Sequence, residues 1–119
     1  MTSSVYFGIA RQDDLLVISN IINDCYISNT GLADRSNIRK NYQRMPLEKL
    51  EEIFKDSNWL IIAGYDRYTN EIIGSSIFHH EGNYIVEYYL LTIATKFRNL
   101  KYGELFLRVG ISFCVSRFR

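Results

Sequence analysis

The stretch LLTIATKFRNLKYGEL, residues 90–105, passes from an apolar strand through a basic loop directly into a helix. Gly103 stands at the start of that helix, and Arg98 and Lys101 lie in the loop before it. The first turn of a helix exposes unpaired main-chain N–H groups and a partial positive charge, which together can hold a phosphate. A glycine there lets an anion approach the main chain closely. The stretch therefore predicts an anion site, with the alternative that its basic residues simply solvate the helix.

The positive charge of the chain is concentrated at the same end. Residues 1–95 carry eight basic and twelve acidic residues, a net charge of −4, whereas residues 96–119 carry six basic residues and one acidic residue, a net charge of +5. The whole chain has a formal charge of only +1. Because nucleic-acid modules are usually strongly basic, we expect this end to bind a small anion and do not expect a nucleic-acid partner.

The composition is that of one folded domain spanning residues 1–119. Hydrophobic residues make up 47% and charged residues 23% of the chain, a composition too apolar for a disordered protein. At 119 residues, the chain is too short to form two hydrophobic cores. No apolar run reaches the roughly 18 residues of a membrane span, and the N-terminus lacks the pattern of a signal peptide, so we expect a cytoplasmic protein with no membrane partner. Cys25 and Cys114 lack metal-ligand spacing and are expected to be buried small hydrophobes. We assign no metal site.

The rest of the chain predicts an α+β fold. Apolar residues recur at helical spacing from Leu15 to Cys25, with Asp13 as the expected N-cap. Pro46 opens a second helix, and residues 29–43 between the two helices have no period and predict a loop or a broken helical passage. The predicted order is β-α-α-β-β-β-α, a mostly antiparallel sheet with helices packed on it. The strands are predicted at residues 5–10, 59–65, 71–80 and 84–94, and the last helix from residue 102 onward.

One motif and the order of the elements resemble a known superfamily. The spacing L-x-I-x-T-x-x-R-x-x-K-x-G at residues 91–103 is similar to the acetyl-CoA motif L-x-V-x-P-x-x-[RQ]-x-x-G-x-[GA] of the GNAT N-acetyltransferases. Thr95 replaces the proline of that pattern, and Lys101 replaces its first glycine. The resemblance spans essentially the whole chain, because GNAT domains also begin with a strand, two helices and three antiparallel strands.

The resemblance implies a co-substrate and a set of contacts. It implies that the chain transfers an acetyl group from acetyl-CoA to a primary amine of a protein or a small molecule. Main-chain groups of Leu91 and Ile93 are then expected to pair with the pantetheine arm as an extra strand would. The pyrophosphate is expected to bind main-chain N–H groups around the helix start, together with the side chains of Arg98 and Lys101. These cofactor-binding residues are Arg98, Asn99, Leu100, Lys101, Tyr102, Gly103 and Glu104.

Glu87, on the same predicted strand, is the candidate catalytic base. Attack of an amine on a thioester needs a neutral amine, so a nearby group must accept a proton. Glu87 lies eleven residues before Arg98, a separation similar to that of the catalytic glutamate in the histone-acetylating branch of the superfamily. The alternative is a strand glutamate that faces solvent or a cross-strand partner. His79 and His80, at the end of the preceding strand, are the second choice for the base.

The family resemblance also predicts what the chain lacks. GNAT domains continue after the third helix with a fifth strand, a fourth helix and a hairpin, so the C-terminal strands are expected to be missing here. The fourth strand would then have an exposed edge, through which two copies of the chain could pair as a homodimer. Two functions stay open: an N-acetyltransferase, and a non-catalytic, truncated acyl-CoA-binding or interaction fragment of the same fold. Acceptor choice is expected to depend on the first two helices and the loop at residues 29–43.

Overall fold

Four strands and three helices make up the part of the chain that the structure describes. The computed structural model describes residues 4–30, 44–82, 85–97 and 102–118, and only the main chain of residues 26–30. The strands are β1 (Val5–Ile9), β2 (Trp59–Asp66), β3 (Ile72–Gly82) and β4 (Ile85–Ile93), and the helices are α1 (Leu15–Thr30), α2 (Leu47–Lys55) and α3 (Tyr102–Arg117). Short 3-10 turns lie at Gln12–Asp14 and Thr95–Phe97. None of the described helices is long and apolar enough to cross a membrane. The predicted order and the α+β class are confirmed.

The strands form one antiparallel sheet in the order β1-β2-β3-β4. The turn from β2 to β3 is held by Asp66, whose carboxylate accepts the main-chain N–H of Tyr68 at 2.9 Å and of Thr69 at 3.0 Å. Asn70 completes this turn with a φ of 62°, a conformation that asparagine tolerates better than most residues. Because strands that follow one another are neighbours, β4 lies at an edge, and no described strand pairs with its outer side.

Helices cover both faces of the sheet. α1 and α2 pack on one face, against Ile61 and Ala63 of β2. α3 packs on the other face, where Cys114 contacts the cluster that contains Leu60 and Ile62. Successive strand residues point to opposite faces, so a strand covered on both sides needs apolar residues throughout. This explains why β2 lacks an apolar–polar alternation. Cys25 is buried as well, so the prediction that both cysteines are buried is confirmed, and neither forms a disulfide.

The start of α1 is held by Asp14 and not by Asp13, the predicted N-cap. The buried carboxylate of Asp14 accepts the main-chain N–H of Arg11 at 3.0 Å and the hydroxyl of Tyr65 at 2.7 Å, whereas Asp13 is exposed. Burial raises the pKa of Asp14, but these hydrogen bonds outweigh it and leave the pKa below its ordinary value. Burial and the same carboxylate raise the pKa of Tyr65 to about 12. The prediction was wrong by one residue because local sequence does not show which of two adjacent aspartates turns inward.

Candidate functional site

β4 pairs with β3 through an irregular register. Leu90 lies opposite Ile77. Tyr88 lies opposite Phe78, which leaves Tyr89 as an extra residue in β4. A bulge of this kind bends the strand and redirects its side chains. As a result the consecutive residues Tyr89 and Leu90 both pack on the side of the sheet covered by α1 and α2.

Glu87 lies on that same side of the sheet, next to three aromatic side chains. It stands opposite His79 in the register of β3 and β4, so the two side chains share a face, and it is exposed. The centre of the His79 ring lies 4.3 Å from the centre of the Trp59 ring. The ring of Tyr89 meets Trp59 edge-on at 5.1 Å. Trp59, His79 and Tyr89 are named the aromatic cluster below.

Two cations border the aromatic cluster. The guanidinium carbon of Arg44 lies 5.6 Å from the centre of the Tyr89 ring, within the range of a cation–π contact. A hydrogen bond from Arg44 and the positive charges of Arg44 and Lys49 lower the pKa of Tyr89, although partial burial opposes this. Sequence reasoning missed Arg44, Tyr89 and Trp59 as site residues. The one available signal was the two-residue spacing of Tyr89 from Glu87, which places both side chains on one face of a strand.

The two histidines named as second choice for the base lie on opposite faces of the sheet. His79 shares the face of Glu87. The ring of His80 stacks on Phe118 at 4.7 Å, on the side of α3. Adjacent strand residues point to opposite faces, so this separation follows from the strand itself. The fold therefore brings His79 together with Glu87 and keeps His80 away from it.

The outer edge of β4 presents the main chain of Leu91 and Ile93. The N–H of Ala94 donates to the carbonyl of Ile73 in β3 at 2.8 Å. Main-chain groups alternate between the two edges of a strand, so those of Leu91 and Ile93 point away from β3. On that side the thiol of Cys25 donates to the carbonyl of Ile93 at 3.1 Å, which brings α1 alongside the edge.

The start of α3 lies against the same end of β4. Leu91 and Tyr102 pack in one apolar cluster around the buried ring of Phe106. A side-chain carbon built at Gly103 would lie 3.7 Å from Leu91, an ordinary van der Waals distance. Ile93 contacts the same cluster. Four of the predicted cofactor-binding residues are therefore close together: Leu91, Ile93, Tyr102 and Gly103.

The predicted cofactor residues Arg98, Asn99, Leu100 and Lys101 lie outside the described residues. Around them, two basic side chains of the C-terminal segment pair with carboxylates. Arg108 donates to Glu104 at 2.7 Å, along the exposed side of α3. Lys96 pairs with Glu71 at 3.0 Å. The positions of Lys96 and Arg108 are therefore explained by solvent exposure and by these local ion pairs. The carboxylate of Glu104 is paired, but the predicted contact of Glu104 with the cofactor involves its main-chain N–H.

An apolar groove lies on the α3 side of the sheet, opposite Glu87. It has a volume of about 820 Å³ and runs between the sheet and α3. Val86 and Tyr88 line it from β4, and Leu107, Ile111 and Val115 line it from α3. Ile111 and Val115 are 59% and 60% exposed. Contiguous exposed apolar surface of this kind usually marks a contact surface, and this one is separate from the aromatic cluster.

Comparison with known proteins finds matches among solved structures. No protein-family model matches the sequence, and no curated protein sequence matches it. The PaiA N-acetyltransferase of Thermoplasma acidophilum, in complex with coenzyme A, matches with a TM-score of 0.74 and 17% identity, over 96% of this chain and 74% of that chain. A GNAT-family acetyltransferase from Staphylococcus aureus Mu50 has a TM-score of 0.70 and 15% identity, over 94% of this chain and 67% of that one. The spermidine N-acetyltransferase of Vibrio cholerae, in complex with coenzyme A and spermine, has a TM-score of 0.65 and 18% identity, over 94% of this chain and 64% of that one.

These matches concern the backbone, because the identities are below 20%. They extend over nearly all of this chain, from the first strand to the helix that packs against β4. The resemblance carried by residues 91–103 and by the order of the elements implied the same architecture. The chain therefore has the fold of the GNAT N-acetyltransferases.

Proposed function

We propose that this protein transfers an acetyl group from acetyl-CoA to the primary amine of a protein or a small molecule. The observation that carries the proposal is the packing of Leu91 and Tyr102 in one apolar cluster, which brings the start of α3 against the outermost described strand, β4. A main-chain edge beside a helix start suits a ligand with an extended amide arm and a pyrophosphate, and coenzyme A has both. Two of the similar acetyltransferases were solved with coenzyme A.

The described residues fit the arm of coenzyme A. Leu91 and Ile93 turn their main-chain groups to the outer edge of β4, as pairing with an added strand requires. The carbonyl of Ile93 also accepts the thiol of Cys25, so this edge of β4 is a place where the main chain receives donors. We propose that the N–H groups and cationic side chains of residues 98–104 hold the pyrophosphate.

Glu87 is proposed as the catalytic base. Bound acetyl-CoA supplies an acetyl thioester, whose reaction with an amine gives an amide and a thiol. An ammonium group cannot attack, so Glu87 accepts the proton that the amine loses, directly or through a water molecule. Glu87 then releases this proton to solvent, from which the departing sulfur is protonated. Its exposed position beside the aromatic cluster leaves it accessible to an incoming amine.

The apolar groove favours a second candidate function. Ile111 and Val115 expose apolar surface along α3. This exposure favours a non-catalytic protein of the same fold that binds acyl-CoA or another polypeptide. A homodimer formed through the outer edge of β4 is one form that such an interaction would take.

Thermal unfolding with coenzyme A tests cofactor binding. We expect millimolar coenzyme A to raise the Tm, because a ligand that binds only the folded state stabilises it. A double variant, Arg98→Gln with Lys101→Gln, should lose most of this shift, whereas Lys55→Gln on α2 should retain it. Absence of any shift, combined with salt-sensitive binding of RNA, would overturn the proposal in favour of a nucleic-acid module.

Turnover separates the enzyme from the non-catalytic fragment. Acetylation of a panel of primary amines can be followed by mass spectrometry with acetyl-CoA as the donor. Product formation above the uncatalysed rate supports the enzyme. Binding of coenzyme A without product from any amine supports the fragment.

A further inference from the structure

We infer that the acceptor amine carries an anionic group, as a free amino acid does, and that Arg44 and Lys49 hold this group at Tyr89. The inference rests on the proposed function and narrows its substrate class. The rings of Trp59 and His79 would then line the side chain of the amino acid, which favours an apolar one.

Tyr89 lies at the centre of this arrangement. The guanidinium carbon of Arg44 is 5.6 Å from the centre of its ring, and Trp59 meets the ring edge-on at 5.1 Å. Lys49 lies in the first turn of α2. A hydrogen bond from Arg44, followed by the charges of Arg44 and Lys49, lowers the pKa of Tyr89. The contact with the ring places Arg44 at the phenol, and Lys49 lies on α2, whose Leu47 packs against the same core cluster as Tyr89.

Neither cation is neutralised by a described carboxylate. None of the ion pairs within the described ranges includes Arg44 or Lys49. These pairs are Arg11–Asp14, Lys96–Glu71 and Arg108–Glu104. Two cations near one hydroxyl repel each other and repel any further cation. A carboxylate between them relieves this repulsion and accepts charge-assisted hydrogen bonds from both.

Glu87 lies on the same face of β4 as the proposed anion site. Glu87 and Tyr89 are two residues apart on one face of β4, which corresponds to roughly 6 to 7 Å along a strand. This is the spacing of their Cα atoms, and both side chains stand on the face covered by α1 and α2. The amine of an amino acid whose carboxylate is held at Tyr89 therefore lies on the face that carries Glu87. A polyamine in the same position would bring additional positive charge to Arg44 and Lys49.

The fluorescence of Trp59 reports on this site directly, because it is the only tryptophan in the chain. We expect leucine, added in the presence of coenzyme A, to change this fluorescence with a Kd roughly tenfold lower than that of leucinamide. Leucinamide keeps the amine and the side chain but lacks the carboxylate, and a charge-assisted hydrogen bond is worth about this factor or more. Equal binding of the two ligands, no response to leucine, or tighter binding of spermidine than of leucine would overturn the inference.

Charge variants separate an anion site from a structural role of Arg44. Arg44→Gln and Lys49→Gln should each reduce the preference for leucine over leucinamide toward unity. Arg44→Lys keeps the charge and should retain most of the preference, and Lys55→Gln is the matched control on the same helix as Lys49. If Arg44 only supports the ring of Tyr89, the ratio between the two ligands stays unchanged in every variant. The Tm of each variant verifies that it is folded.

Failure of this inference is distinguishable from failure of the proposed function. The fluorescence titration needs no turnover. Acetylation of amines without a preference for amino acids would overturn the inference and leave the acetyltransferase proposal standing. Leucine binding with the expected ratio, but without any effect of coenzyme A on the Tm, would overturn the acetyltransferase proposal and leave an amino-acid site.

Discussion

The main chain of α3 at Gly110 lies directly against the ring of Phe78 in β3. A side-chain carbon at Gly110 would overlap atoms of that ring, so glycine allows the helix to approach the sheet this closely. A second contact of the same kind joins Gly64 of β2 to Phe106, whose ring would be 2.6 Å from a side-chain carbon at Gly64. These two glycine–phenylalanine contacts set the distance of α3 from the sheet. They therefore also set where its first turn meets β4.

We expect Gly110→Ala to destabilise the protein. Alanine is about 1 kcal/mol better than glycine inside a helix, but overpacking a core costs about 1 to 3 kcal/mol. The overlap with Phe78 should outweigh the helix propensity, giving a loss of about 1 kcal/mol in the free energy of unfolding by urea. Ser116→Ala, at an exposed position of the same helix, should change it by less than about 0.5 kcal/mol. A more stable Gly110→Ala protein would show that the contact relaxes at little cost.

Glu87→Gln should lower turnover without weakening the binding of coenzyme A. The amide keeps the shape of the side chain but cannot accept the proton, and loss of a general base typically costs about 10² to 10⁴ in rate. Steady-state rates with the best amine, together with the coenzyme A-dependent shift in Tm, measure the two effects separately. Glu81→Gln, an exposed carboxyl at the end of β3, is the control. Full activity of Glu87→Gln would rule out Glu87 as the base.

The Tyr65–Asp14 hydrogen bond predicts a loss of stability at alkaline pH. In the folded protein the pKa of Tyr65 rises from 10.0 to about 12. The unfolded chain therefore releases this proton first, so the stabilisation is fully present below pH 10 and is lost as the pH rises toward 12. Tyr65→Phe should lower the free energy of unfolding by about 1.5 to 3 kcal/mol at neutral pH, because a hydrogen bond to a carboxylate is lost.

The alkaline loss itself should be smaller in Tyr65→Phe than in the parent protein. Urea unfolding at neutral pH and at a pH between the two pKa values measures the difference. Tyr68→Phe, at a side chain that is 80% exposed, should behave like the parent at both pH values. An equal alkaline loss in the parent and in Tyr65→Phe would contradict the assignment.

The apolar groove should bind a hydrophobic dye. We expect 8-anilinonaphthalene-1-sulfonate to fluoresce with the folded protein, because α3 exposes apolar side chains along a groove of about 820 Å³. Ile111→Asp should reduce this signal severalfold with little change in stability, since Ile111 is 59% exposed. Leu16→Asp, at an exposed position of α1 away from the groove, should not reduce it. Equal dye binding by both variants would place the dye elsewhere.

Local patterns in the sequence predicted the elements because helix and strand periods and turn chemistry act over a few residues. The apolar spacing of α1, Pro46 before α2 and the break between the strands predicted at residues 59–65 and 71–80 all appear where they were predicted. The exception is the start of α1, where Asp13 was predicted as the N-cap but Asp14 holds the turn. The carboxylate of Asp14 accepts a hydrogen bond from Tyr65, which lies on a strand distant in sequence. Local sequence patterns do not show such a contact.

The candidate site was predictable only in part. Strand alternation alone places His79 and His80 on opposite faces, and the motif at residues 91–103 indicated Leu91 and Ile93. The aromatic cluster and Arg44 were not predictable in this way. They come from β2, β3, β4 and the segment before α2, which meet only after the sheet and helices have packed.

The amino-acid sequence by itself determined the order of the strands and helices, because periodicity and turn residues are properties of short segments. The tertiary structure decided that Tyr89 is the extra residue of a bulge, that Gly110 rests on Phe78, and that Arg44 borders the ring of Tyr89. Each of these depends on strand register and on contacts between distant parts of the chain. Local propensities do not specify register, since it is set by which side chains fill the core together.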